Sequence, residues 1–311
     1  MTRSIVALAI VALAILALAG LLAPAGPVRA DALEDAATCV QITANPTAAL
    51  YYCSRAIYQG RRGGVPRDQL AAAFLSRGRA LASKRQYKGA LDDFDEAISL
   101  RADLAPAYND RGNVHYLNGD YNKAIEDYDE AVRLNPSAAA VYNNRGRTYY
   151  VLGLHDPAIQ DFSTAIRIDP GFATAYNNRG NALFRKGLLP QAVNDHNQAV
   201  RLRPDYARAY SDRGKALLVL GQFDRALEDY GQAIRLKPDH APTFGRRGAL
   251  YERFGFVDQA LADYQTMYRL GARPAWLEHK LGEYGVLDSP VPGGGEPKSA
   301  AEPGVAPAPA E

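Results

Sequence analysis

Apolar side chains along residues 71–274 recur at helical spacing in paired segments, and the pattern resets every 34 residues. Six blocks starting at Ala71, Ala105, Ala139, Ala173, Ala207 and Ala241 superimpose without gaps. Position 4 is always aromatic (Phe74, Tyr108, Tyr142, Tyr176, Tyr210, Phe244) and position 8 is always Gly (Gly78, Gly112, Gly146, Gly180, Gly214, Gly248). Position 20 is always Ala, position 27 is Ala in every block but the last, where Tyr268 stands, and Pro136, Pro170, Pro204 and Pro238 close four blocks at position 32. Near position 15 stand Gly119, Gly153, Gly187, Gly221 and Gly255, which suit a turn of positive φ after a helix. Each block therefore predicts one helical hairpin, which cannot bury its apolar face alone and must stack on its neighbours. Glycine inside a helix costs about 1 kcal/mol in propensity. Six at position 8 imply a steric reason, and the expected one is close approach of the small Ala residues at 20 and 27.

Position 24 is aromatic in five blocks (Phe94, Tyr128, Phe162, Tyr230, Tyr264), with His196 in the fourth. Aromatic at 4 and 24, Gly at 8, Ala at 20 and 27 and Pro at 32 together resemble the tetratricopeptide repeat, over roughly two thirds of the chain. The resemblance implies an all-α fold, a right-handed α-solenoid of helix hairpins whose first helices line a concave face. Two charged positions also repeat: Arg at 7 (Arg77, Arg111, Arg145, Arg179, Arg213, Arg247) and Asp at 23 (Asp93, Asp127, Asp161, Asp195, Asp229, Asp263). Many family members carry a Leu-like residue at 7, so the arginines are a departure. A structural pair between the two helices of each hairpin is expected, because a binding site rarely needs one residue in every module. An anionic ligand is the alternative.

The two ends differ from the array. Residues 1–30 read as an export signal, with Arg3, an apolar run over 5–23, and small residues Val28 and Ala30 before a cleavage expected after Ala30. Some 19 apolar residues also reach the lower bound for spanning a bilayer, so an uncleaved anchor stays open. Either way the repeats lie outside the cytoplasm: periplasmic or otherwise exported, or held at the inner membrane with the repeats in the periplasm. Residues 31–70 read as a degenerate hairpin with a short leading helix, since Ala49, Cys53 and Ala56 keep the 20/24/27 spacing. The only cysteines, Cys39 and Cys53, are an even pair in an exported segment and are expected to form a disulfide, with a redox switch as the lesser reading. Blocks 71–104, 105–138, 139–172, 173–206, 207–240 and 241–274 follow, then a capping helix over 275–285. There Leu277 and Leu281 share a stripe with Trp276, which is expected in the core. Residues 286–311 are Pro, Gly, Ala and Glu and are expected to be disordered.

Net charge is +2; without Arg3 and Arg29 the chain carries 34 basic and 34 acidic groups. That balance gives no pull toward nucleic acid. The five histidines lack metal spacing, no phosphate-cradling loop or base–nucleophile frame appears, and neither a cofactor nor enzyme activity is expected. The resemblance instead places positions 2, 5, 6, 9, 12 and 13 on or near the concave surface. Asn dominates there (Asn109, Asn143, Asn144, Asn177, Asn178, with Asn113 and Asn181 at 9), beside Arg147 and Lys215. An aromatic row runs through Tyr116, Tyr150 and Phe184. Asn offers both donor and acceptor to an extended main chain, and a basic excess favours an acidic segment. The expected function is a non-enzymatic scaffold binding an extended protein or peptide partner in this groove. The alternative is a membrane-tethered assembly factor, and the membrane is a partner only if the N-terminal segment stays uncleaved.

Overall fold

The computed structural model describes residues 27–42, 45–62 and 65–286. The predicted apolar N-terminal run and nearly all of the tail fall outside them. The described residues form fifteen helices and no strand, in two compact units, Met1–Pro136 and Ser137–Glu311. The first unit contains α1 (Pro27–Gln41), α2 (Pro46–Gly60), α3 (Arg67–Ser83), α4 (Tyr87–Leu100), α5 (Ala105–Asn118) and α6 (Tyr121–Leu134). The second contains α7 (Ala139–Val151), α8 (His155–Ile168), α9 (Ala173–Arg185), α10 (Leu189–Leu202), α11 (Ala207–Val219), α12 (Phe223–Leu236), α13 (Ala241–Arg253), α14 (Val257–Arg269) and α15 (Ala275–Glu283). In both, each 34-residue block supplies two helices that pack on each other and on the adjoining block of the same unit.

The turn chemistry explains the hairpins. Gly119, Gly153, Gly187, Gly221 and Gly255 have φ between 75° and 83°, a left-handed conformation in which glycine has no Cβ penalty. The first block has no glycine there, and Arg85 takes the same turn at φ 59°. The second helix then lays its aromatic residue at position 24 against the bare face of the first. A Cβ built at any position-8 glycine would come within 2.5–2.9 Å of that ring. This corrects the expectation of a glycine–alanine contact: the ring at 24 occupies the space, with the Ala124 and Ala226 carbonyls or the Asp161 and Asp263 Cβ atoms close behind. The alanines at 20 are fully buried, and burial of the rings is the main favourable term holding each hairpin.

The repeated charges join the helices. In all six blocks Arg at 7 donates both Nε and Nη2 to Asp at 23, at 2.6–3.2 Å. The fork matches the carboxylate geometry, and each guanidinium carbon sits 5.4–5.9 Å from the ring at position 4 of its own helix. The remaining nitrogen reaches the preceding block. Arg77 Nη1 donates to Ser54, Arg111 Nη1 to Asp95, Arg179 Nη1 to Ser163 and Arg213 Nη1 to Asn197. Each acceptor sits at position 25 of its own hairpin. The expected intra-hairpin pair is present and is also a tie between hairpins.

At the start, Asn45 caps α2, its Oδ1 accepting from the Thr47 and Ala48 amides. Cys39 and Cys53 form a disulfide joining α1 to α2, both fully buried, with Cα atoms 4.8 Å apart. The leading helix, expected to be short, has fifteen residues and runs through the Ala30–Asp31 bond. At the other end, Leu277 and Leu281 of α15 are buried against the last hairpin. Trp276 departs from the expected core position. It is 44% exposed, with its ring edge-on to Tyr264 at 5.6 Å.

Candidate protein-interaction face

First helices present positions 2, 6, 9 and 13 along one side of each unit. Of the twelve residues expected there, Asn109, Asn113 and Tyr116 lie in the first unit and the other nine in the second. In the first, Asn109 donates to Asp110, Tyr128 Oη donates to Asn113 at 2.8 Å, and Tyr116 is buried with its ring 5.6 Å from Tyr121.

In the second unit the asparagines serve the protein itself. Position 5 is turned into the interface between adjacent first helices, so Asn143 is 5% and Asn177 0% exposed. Asn178 at position 6 donates to Asn143 Oδ1 of the preceding block at 2.9 Å. Asn177 donates to Asp212 of the next block at 3.0 Å, and Arg246 donates to Ser211 at 2.8 Å. Position 5 of one block thus bonds position 6 of the next, 35 residues on. Desolvated amides demand partners, and the neighbouring repeat supplies them. The expected ladder exists, but it runs between repeats, and the amides of Asn143 and Asn177 do not face outward for a peptide.

The carboxylates of this face are similarly occupied. Asp212 accepts from Asn177 and Asn181 and lies 3.6 Å from Arg208, with its side chain 13% exposed. Burial pushes its carboxyl up, but Arg208, His196, Arg246 and the Asn181 bond together hold it below the usual range. Glu252 accepts from Tyr264 and Tyr284 and pairs with Lys280 at 2.8 Å. The cations have softer partners. Lys215 Nζ lies 4.7 Å over the Phe184 ring and Arg253 5.1 Å over Phe223. Asn144, Arg147 and Tyr150 are half-buried, Tyr150 with its ring 5.5 Å from His155. Arg246 and the exposed Trp276 join this row, although sequence reasoning did not assign them to it. Position 6 could have revealed Arg246, and Gly282, aligned with the position-8 glycines, could have revealed α15 as a seventh first helix.

His196 has a structural role. It fills the space of the missing aromatic, fully buried, with Nδ1 2.9 Å from Asn177 Oδ1. Because the Asn177 amide nitrogen donates to Asp212, its oxygen faces the imidazole, so Nδ1 carries the proton. Nε2 is then a buried lone pair without a partner. Burial pushes the imidazole pKa down, and the nearby carboxylates of Asp212 and Asp195 only partly counter it. Folded His196 therefore resists protonation that the unfolded chain accepts. Its penalty is absent above the ordinary histidine value of about 6.5 and grows as pH falls below it. In His196→Tyr, the hydroxyl meets Asn181 as Tyr128 meets Asn113. Melting temperatures recorded from pH 7.5 to 5.0 should fall less steeply for this variant than for the parent; parallel slopes would exclude His196 as the source.

No group of His, Cys, Asp and Glu among the described residues has metal-binding geometry. The family model described as TPR repeat matches residues 78–119, 112–153, 146–187 and 180–221, and the one described as Tetratricopeptide repeat matches 207–240. No curated protein matches significantly. Among solved structures, a tetratricopeptide repeat protein from Parabacteroides merdae aligns at TM-score 0.63 and 18% identity, over 83% of this chain and 98% of that one. PilF of Pseudomonas aeruginosa aligns at 0.62 and 18%, over 70% and 99%. TTC0263 of Thermus thermophilus aligns at 0.50 and 25%, over 59% and 100%. The shared fold is an α-solenoid of helix hairpins, a scaffold suited to protein–protein interaction.

Proposed function

Since the chain belongs to the tetratricopeptide repeat family, we propose that it is a non-enzymatic scaffold in the cell envelope that captures an extended, acidic segment of a protein partner. The segment lies along the first-helix row of the second unit. The observation that carries this reading is the unequal occupation of charges there. Glu252 is consumed by Lys280, Tyr264 and Tyr284, and Asp212 by Asn177, Asn181 and Arg208, whereas Arg246 donates to the Ser211 hydroxyl, Arg253 lies over Phe223, and Arg208 stays 42% exposed beside Asp212. Such a row attracts carboxylates, and its aromatic floor adds apolar contact. With the Asn ladder turned inward, recognition rests on these cations rather than on amides gripping a main chain.

Anisotropy titration of a fluorescein-labelled peptide alternating Glu with apolar residues tests it. Arg208→Glu/Arg246→Glu should weaken binding about tenfold or more, at roughly 1 kcal/mol for each half-exposed contact. Equal affinity would remove the row from the site. The envelope location draws on the apolar run at 5–23 and the disulfide between Cys39 and Cys53. Fractionation followed by N-terminal sequencing separates an exported form starting at Asp31 from a tethered assembly factor that retains the run.

A further inference from the structure

We infer that the chain's own segment 287–311 docks on the cationic first-helix row of the second unit and competes there with the partner. This deepens, and rests on, the reading of that row as the partner site. Three observations converge on it.

The first is the exposed Trp276. Helix α15 continues the first-helix register: Gly282 takes position 8, Leu277 and Leu281 are buried, and Trp276 takes position 2, the place Arg208 holds on α11. The full blocks carry Ala72, Pro106, Ala140, Thr174, Arg208 and Pro242 there, so the indole is a feature of this end alone. One edge of its ring system is fixed, facing Tyr264 and lying 3.9 Å from a Cβ built on Gly245, beside Arg246. An aromatic face left open on a fixed ring suits proline.

The second is chemical complementarity. Segment 287–311 holds Asp288, Glu296, Glu302 and Glu311 against one base, Lys298, and six prolines at 290, 292, 297, 303, 307 and 309. The row it would meet carries Arg246 and the 42%-exposed Arg208 beyond the indole. Proline matches the ring and the carboxylates match the cations.

The third is tethering. The segment begins directly after Val286, three residues beyond α15. A 25-residue tether reaches about 25–30 Å, enough to cross two or three first helices packed about 8–10 Å apart. A tether of this length gives an effective concentration on the order of millimolar, so weak contacts suffice for occupancy.

Trp276 is the chain's only tryptophan, so its fluorescence reads the docking directly. The experiment compares the chain from Asp31 to Glu311 with the same chain ending at Val286. The full chain should show blue-shifted emission and about twofold or greater protection from iodide quenching. A synthetic 288–311 peptide added to the shortened chain should restore both, and 0.5 M NaCl should abolish them. Arg208→Glu/Arg246→Glu in the full chain should reproduce the shortened form. Identical emission and quenching in the two chains would overturn the inference. The labelled Glu-rich peptide supplies a separate arm. Tighter binding to the shortened chain, by about threefold or more, supports competition, whereas equal binding to both overturns it and leaves the partner site standing. Binding to neither chain, with the tryptophan signals still different, would overturn the partner reading and not the docking.

Discussion

Arg213→Met destabilises the protein by about 3–5 kcal/mol. The substitution keeps most of the side-chain volume but leaves the Asp229 carboxylate with neither of its two guanidinium bonds, at 2.6 and 2.8 Å, in a site where its side chain is 6% exposed. It also removes the 2.9 Å bond to Asn197 of the preceding hairpin. Stability in a repeat array is a sum of hairpin and interface terms, so one residue weakens both. Pairing the change with Asp229→Leu should recover much of the loss, because a buried ion pair replaced by apolar groups of similar volume is often neutral. Urea denaturation of the four-member cycle measures the coupling. A coupling energy near zero would mean that the two charges are solvated independently.

Loss of the disulfide carries the other large effect. Cys39→Ala/Cys53→Ala should cost about 3 kcal/mol in the chain-entropy account of a loop this short. The bond clamps α1 to α2, and among the described side chains of α1 only Ala32, Ala36 and Cys39 are buried apolar ones. Small side chains bury little area, so α1 depends on the bond more than the repeats do. Thiol reduction followed by limited proteolysis should release α1 before any later helix. A digestion pattern identical in oxidised and reduced protein would show that packing alone holds it.

The hairpins were legible because their periodic residues act within a block. Glycine at 15 sets a local dihedral and Arg at 7 meets Asp at 23 on the paired helix, so block spacing carries the information. The wrong partner for the position-8 glycine has a simple origin. Small residues at 20 and 27 suggest close approach, but a ring at 24 between them reaches the glycine first. The asparagines misled for a different reason. Their partners lie one block and one residue away, as Asn178 to Asn143 and Asn177 to Asp212, and a polar residue bonding across repeats reads in sequence like one facing solvent. The cationic row was partly visible, since Lys215 and Arg147 stood out at position 9. Arg246 gained its place through the position-6 to position-5 bond to Ser211, and Trp276 only once α15 proved to be a first helix.

Gly231 stands at position 25, where other hairpins offer Ser54, Asp95, Ser163 or Asn197 to the following arginine. With no side chain to receive Arg247, the last full hairpin keeps its bonds to its predecessor at Ser211, from Arg246 and Thr243, and its Phe223–Phe254 contact, but lacks the guanidinium tie that those earlier junctions have. A pulling force applied at the C-terminal end would therefore peel this hairpin away first. Under load the protein would lengthen in discrete steps, beginning beside the only tryptophan.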